Sequence, residues 1–186
     1  MRIVGGEFKG RAIAAPPGRD TRPTSDRARE SLFNVLAHAP WSPGIEDRQV
    51  LDLFAGSGAL GLEAMSRGAT FALFVETDAV ARGAIRDNIE TLGLFGTTRI
   101  HRRDATDLGV KPAGLGDPFD LVFLDPPYRK GLGERALARL GEGGWITSDA
   151  LIMFECAVDE TPSMPGYETL DTRDYGAAKV MFLRCA

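Results

Sequence analysis

Asp125-Pro126-Pro127-Tyr128 follows directly on the apolar run Leu121-Val122-Phe123-Leu124, so a carboxylate, a stiff backbone and an aromatic ring meet at the end of a predicted strand. Consecutive prolines fix φ at about −65° and donate no hydrogen bonds, which leaves the neighbouring carbonyls as outward-facing acceptors. Such a corner suits the exocyclic NH2 of a flat ring, and Tyr128 offers a face for a nucleobase drawn from its stack. The same four residues also make a strand-ending turn, so the corner needs partners elsewhere before it reads as a site.

The first partner is Asp52-Leu53-Phe54-Ala55-Gly56-Ser57-Gly58-Ala59-Leu60-Gly61, a G-x-G-x-x-G pattern between a predicted strand and a predicted helix. Its glycines permit a tight turn and close approach to a ligand, and the helix start presents unpaired N–H groups. Phosphate is the usual ligand, but Asp52 sets a carboxylate at the mouth of the loop, where it repels a pyrophosphate and welcomes a cation. S-adenosylmethionine carries an ammonium and a sulfonium and no phosphate, so an acidic lip fits it. An Asp52 buried beneath the loop is the structural alternative. Glu76 stands 20 residues after Gly56, where a carboxylate accepts both ribose hydroxyls of an adenosine-type cofactor. Asp104, just beyond a third strand, is placed to accept from the adenine amine. The candidate cofactor set is therefore Asp52, Phe54, Ala55, Gly56, Ser57, Gly58, Glu76, Thr77, Asp104 and Ala105. The candidate catalytic set is Asp125, Pro126, Pro127 and Tyr128.

Positioning these residues requires a sheet. Beyond Gly44 short apolar runs alternate with helical periodicity, which predicts a mostly parallel sheet covered on both faces. Predicted strands are 50–54, 71–75, 98–101, 121–124 and 151–156, predicted helices 59–67, 79–92 and 133–140, and strands 168–171 and 178–184 close the chain as an antiparallel hairpin through Tyr175-Gly176. In such a sheet the C-terminal strand ends share one crevice, so Asp52, Glu76, Asp104 and Asp125 should gather there. Upstream, residues 1–15 read as a small hairpin around Gly10, 16–23 as an irregular loop, and 26–38 as a helix capped by Thr24 or Ser25. This divides the chain into an N-terminal element, 1–23, and a catalytic domain, 24–186.

At 186 residues and 44% apolar, with no apolar run of membrane-spanning length, the chain fits one domain. The start MRIVGGEFKG lacks the apolar stretch of a secretory signal, which points to the cytoplasm. Cys156 and Cys185 have no zinc spacing and read as reduced thiols, and no metal and no membrane partner is expected of a monomeric protein. The net charge of −4 hides an asymmetry: the first 29 residues hold seven basic and three acidic side chains, hence +4, leaving −8 for the rest. A basic arm on an acidic body suits contact with phosphates at one surface.

Taken together, Met1-Arg2-Ile3-Val4-Gly5-Gly6, Gly10-Arg11, the segment Arg22-Pro23-Thr24-Ser25-Asp26-Arg27, Leu51-Asp52-Leu53-Phe54-Ala55-Gly56-Ser57-Gly58, Phe74-Val75-Glu76 and Asp125-Pro126-Pro127-Tyr128 resemble the bacterial 16S ribosomal RNA guanine-N2 methyltransferases over nearly the whole chain. The resemblance implies a Rossmann-like, seven-stranded S-adenosylmethionine-dependent fold with an N-terminal hairpin. It also implies action on a guanine N2 of 16S rRNA in assembled or partly assembled small subunits. Carried over by position, Asp52, Gly56, Gly58, Glu76 and Asp104 bind cofactor, and Asp125, Pro126 and Tyr128 hold guanine. Arg22, Thr24 and Arg27 border the cofactor carboxylate or the RNA backbone, and Lys9, Arg11 and Arg19 contact phosphates. Gly176-Ala177-Ala178 departs from the pattern, where a hydroxyl or acidic residue is expected after the glycine. An adenine-N6 methyltransferase of DNA or RNA uses the same corner and is the alternative enzyme. A glutamine methylase would have Asn at 125, a dehydrogenase has no use for the corner, and an RNA-binding assembly factor without turnover would not keep the site.

Overall fold

The computed structural model describes residues 1–17 and 25–186, so Arg19, Arg22, Thr24 and most of the expected irregular loop lie outside the described residues. Strands β1 (Gln49–Leu53), β2 (Phe71–Val75), β3 (Thr98–His101), β4 (Phe119–Leu124), β5 (Ile146–Ala157), β6 (Tyr167–Tyr175) and β7 (Ala178–Cys185) form one seven-stranded sheet in the order β3-β2-β1-β4-β5-β7-β6. β1 to β5 pair in parallel, and β7 runs antiparallel to both of its neighbours. This is the predicted mixed α/β sheet. Helices α1 (Asp26–His38), α2 (Ala59–Ser66) and α3 (Ala79–Leu92) pack on one face, while α4 (Leu132–Glu142) and Trp145 pack on the other.

Local chemistry explains the boundaries. Ser25 caps α1, its hydroxyl accepting the Ala28 N–H at 3.1 Å, and Asp78 caps α3 by accepting from Ala81 at 2.8 Å. α1 buries Arg29, Leu32, Phe33 and Leu36, the spacing of one helical face, and sets Phe33 5.5 Å from Phe123 of β4. β5 begins at Ile146 rather than at 151, because its first residues, Thr147, Ser148 and Asp149, are too exposed to need an apolar pattern. The expected N-terminal pair of strands is reduced to a single antiparallel bridge between Arg2 and Ala12. Backbone bonds from Ile3 to Arg11 O, Gly10 to Ile3 O and Ile13 to Met1 O still close the hairpin, and side chains of the body fasten it in place.

Those side chains are Glu63 and Ser66 of α2 and Asn88 of α3. Glu63 is fully buried, lies 2.9 Å from Arg67 and 3.8 Å from the buried Arg29, and accepts the Val4 N–H at 3.0 Å. The Ser66 hydroxyl accepts from Phe8 at 2.9 Å and donates to the Gly5 carbonyl at 2.6 Å. The Asn88 amide exchanges two hydrogen bonds with the Ala14 backbone and donates to Ser57 O at 2.9 Å. Gly6 has φ +77°, and a Cβ there would fall 1.9 Å from the Ser66 carbonyl oxygen, so close backbone contact with α2 demands glycine.

Register sets the level of each acidic side chain. Leu53 pairs with Val75 and Leu124, and Leu124 pairs with Phe154. One residue further on, Glu76, Asp125 and Glu155 stand at one level on adjacent parts of the sheet, all on the face of Phe74, Phe123 and Met153. Asp52 lies on that same face two residues lower, about 6.6 Å deeper into the sheet. This corrects the expected acidic lip. Asp52 is 2% exposed, sits beneath the glycine loop, and accepts the Gly61 N–H at 3.0 Å. Burial, reinforced by Glu76 and opposed by the Gly61 bond, raises its carboxyl from 3.8 to about 8.

Glu63→Ala should lower the unfolding free energy by about 3–5 kcal/mol in urea melts, because it leaves two guanidinium groups facing a buried gap; a loss below about 1 kcal/mol would show that the clamp is not needed. For Asp52, the unfolded chain ionises near pH 4 while the folded chain keeps its proton to about pH 8, so the folded state binds more protons and stability falls across that window. Asp52→Asn keeps an acceptor for Gly61 and should remove that fall. Thermal melts of the two proteins that stay parallel from pH 4 to 8 would contradict the assignment.

Candidate active site

At the C-terminal ends of β1, β2, β4 and β5 a crevice of about 810 Å³ opens. Sheet topology is responsible: β1 and β4 are neighbours from which the chain departs in opposite directions, which is where an open parallel sheet leaves a gap between loops. Its walls include Asp52, Phe54, Ala55, Gly56, Ser57, Glu76, Thr77, Asp104 and Ala105, together with Asp125, Pro126, Pro127 and Tyr128. Apart from Gly58, the expected cofactor and catalytic residues all line this one crevice. Gly58 is buried at the N-cap of α2 with φ +79° and donates to Ala55 O at 2.8 Å, so it shapes the loop from below.

The N–H groups of the three motif glycines are occupied. Gly56 donates to Glu76 at 2.8 Å, Gly58 to the Ala55 carbonyl, and Gly61 to Asp52. A loop whose donors are bonded to its own carboxylates and carbonyl has little to offer a pyrophosphate, and the adjacent negative charge opposes one. Glu76 is 5% exposed and also accepts from Asp78 at 3.0 Å, which fixes its carboxylate on the crevice wall. Gly61 completes the motif by permitting close packing: a Cβ there would lie 2.5 Å from the Phe74 ring. Phe54 and Arg129, both lining the crevice, hold positive φ of 56° and 59°, a conformation that non-glycine residues keep chiefly where the surrounding structure enforces it.

Asp104 lies at the outer wall. Its Oδ1 accepts both the Thr106 N–H at 2.8 Å and the Thr106 hydroxyl at 2.7 Å, and these bonds hold its carboxyl below the ordinary range. Asp125, by contrast, is raised well above that range by burial first, then by Glu155 and Asp52. Tyr128 donates its hydroxyl to Glu155, and burial together with that bond raises the phenol.

Glu155 escaped the sequence reading. It is 5% exposed, faces the crevice from β5, and is marked in the sequence only by its place as a charged residue inside the apolar run Leu151-Ile152-Met153-Phe154-Glu155-Cys156. Also on the walls are the buried Arg29 and, from loops, Arg103, Arg129 and Lys130. The basic residues expected to meet RNA behave differently from one another. Lys9, Arg11 and Arg27 are exposed but outside the crevice, and the Arg11 guanidinium donates to Thr91 O at 2.7 Å. Both cysteines are free thiols, and no helix among the described residues is long and apolar enough to cross a membrane.

Comparison with known proteins places this geometry in a family. Ribosomal RNA small subunit methyltransferase D of Escherichia coli strain K12 is 42% identical over 166 residues, covering 89% of this chain and 79% of that protein. The protein of the same name from Haemophilus influenzae is 36% identical over 171 residues, covering 91% and 86%. The solved structure of the Escherichia coli methyltransferase yhhF superposes with a TM-score of 0.82 at 37% identity, covering 100% of this chain and 97% of that one. The family model described as conserved hypothetical protein 95 matches residues 1–184, and with these relatives it establishes that the chain belongs to that family.

Proposed function

We propose that this crevice methylates the exocyclic N2 of a guanine in 16S rRNA of the small ribosomal subunit, with S-adenosylmethionine as methyl donor. The relatives are named as methyltransferases of small-subunit ribosomal RNA, which supports the reaction class and the substrate class. The observation that carries the reading is the acidic row Glu76, Asp125 and Glu155 over the deeper Asp52, in one crevice with the Asp-Pro-Pro-Tyr corner. A crevice lined by carboxylates in a low-dielectric setting favours a cationic ligand.

When bound, the cofactor supplies a methyl group on a cationic sulfur, which an amine nitrogen displaces with release of S-adenosylhomocysteine and, after N–C bond formation, one proton. The chain's own residues do the rest. Glu76, held by two backbone N–H groups, faces the ribose hydroxyls, and Asp104 reaches the adenine end. Asp125 and the Pro126 carbonyl accept the two N–H bonds of the base amine and so direct its lone pair away from the ring. The Tyr128 ring supports the base. A cation in the crevice favours the charged form of Asp125, so the carboxylate ionises as the site fills and later takes the amine proton. Outside the crevice, Lys9 and Arg11 of the N-terminal element, and Arg27 at the start of α1, meet the RNA backbone. Arg19, Arg22 and Thr24, outside the described residues, belong to the same proposed surface.

Asp125→Ala should cut turnover by roughly 100-fold or more while leaving S-adenosylmethionine affinity nearly unchanged by calorimetry. Nucleoside analysis of 30S particles treated with labelled cofactor should yield N2-methylguanosine; N6-methyladenosine would overturn the reading. Replacing Lys9 and Arg11 together with Ala should reduce the salt dependence of RNA binding by roughly 0.7–0.9 in log–log slope for each phosphate no longer neutralised. An unchanged slope would remove the N-terminal element from the RNA interface.

A further inference from the structure

Glu155 is the crevice carboxylate that the methyl-transfer scheme leaves without a task. Its strand position is fixed: Leu124 pairs with Phe154, both on the face of α4, so Asp125 and Glu155 follow side by side on the opposite face. Neighbouring strands lie about 4.8 Å apart, so the two carboxylates present a paired acceptor edge to whatever occupies the corner. The field of Glu155 helps to raise the carboxyl of Asp125, which places the two groups in direct electrostatic contact. Tyr128 donates its hydroxyl to Glu155 Oε1, so the ring that supports the base and the carboxylate beside it move as a unit. The β7 residue opposite Glu155 is the apolar Val180.

The chemistry of the two candidate bases differs at this edge. Guanine presents the N2 amine and, next to it, the N1–H, so two adjacent groups are donors. Adenine presents the N6 amine next to N1, an acceptor. A carboxylate accepts only. Once Asp125 has ionised in the filled site, two carboxylates side by side match a donor–donor edge and oppose a lone pair placed against one of them.

We propose that Glu155 determines base specificity by accepting the N1–H of the guanine whose N2 amine is held by Asp125. This rests on the guanine reading of the proposed function and names a residue that enforces it. The Tyr128 hydroxyl keeps the carboxylate oriented beside the corner.

The rival role for Glu155 is purely to hold Tyr128 in place, and paired variants separate the two. Tyr128→Phe removes the hydroxyl that bonds Glu155, whereas Glu155→Gln keeps an amide oxygen for Tyr128 and turns its NH2 against the N1–H. With 30S particles as substrate, Glu155→Gln should lower kcat/KM by roughly 10- to 100-fold, with most of the loss in KM for the particle. Tyr128→Phe should lose several-fold less, and the affinity of both variants for S-adenosylmethionine should match the wild type in calorimetry. Glu155→Asp, which restores a carboxylate, should recover part of the loss, and it carries the test should Glu155→Gln fold poorly. Equal losses in Glu155→Gln and Tyr128→Phe, or an unaffected Glu155→Gln, overturn the specificity role while wild-type formation of N2-methylguanosine leaves the reaction standing. Wild-type protein that forms no N2-methylguanosine overturns the reaction itself, and the role of Glu155 with it.

Discussion

A carboxylate removed from water must be given donors, and in this protein the backbone gives them. Asp52 takes the Gly61 N–H, Glu76 takes those of Gly56 and Asp78, and Glu63 takes that of Val4. Each bond ties an acidic side chain of one element to the main chain of another, so strand, loop, helix and N-terminal segment are placed relative to one another by charge satisfaction as well as by apolar packing. The glycine loop is the clearest case. Its path is set from below by Asp52 and from the side by Glu76, so both carboxylates shape the cofactor wall of the crevice that the sheet topology opens.

Much of this was legible in the chain. The bounds of α1, α3, β2 and β3 coincide with their hydrophobic patterns, because each element buries one well-defined face or a short apolar run between clear breakers. The C-terminal hairpin through Tyr175-Gly176 was readable from its turn, and the gathering of Asp52, Glu76, Asp104 and Asp125 followed from strand direction alone. Depth was not readable. Asp125 ends its apolar run, whereas Asp52 interrupts Val50-Leu51-Asp52-Leu53-Phe54, and how the two levels compare is fixed by register, a tertiary property. Glu155 was hidden for a related reason: a charge within an apolar strand declares itself only when the neighbouring strand is known.

The N-terminal segment shows the same limit from the other side. Its alternating residues suggest a ladder, but a single bridge forms, and Glu63, Ser66 and Asn88 supply the remaining partners. Arg29 joins this region from α1, where a guanidinium occupies a core-facing helical position between Glu63 and Asp26. Met1, Ala15 and Pro16 thereby reach the crevice wall beside residues of β1 and β2. The segment that carries part of the basic surface is thus fastened to the same two helices that close the cofactor side of the site.

The reversal of β7 has a practical side. Ala178 pairs with Ala157 at the crevice edge of the sheet, whereas Cys185 pairs with Tyr167 at the far edge, and Ala186 bonds there to Gly166. Ala186 therefore lies on the side of the molecule opposite the crevice. A fluorophore or affinity handle placed beside Ala186 and Gly166 leaves the mouth of the site facing solution, which suits that edge for attachment in binding measurements with large ligands.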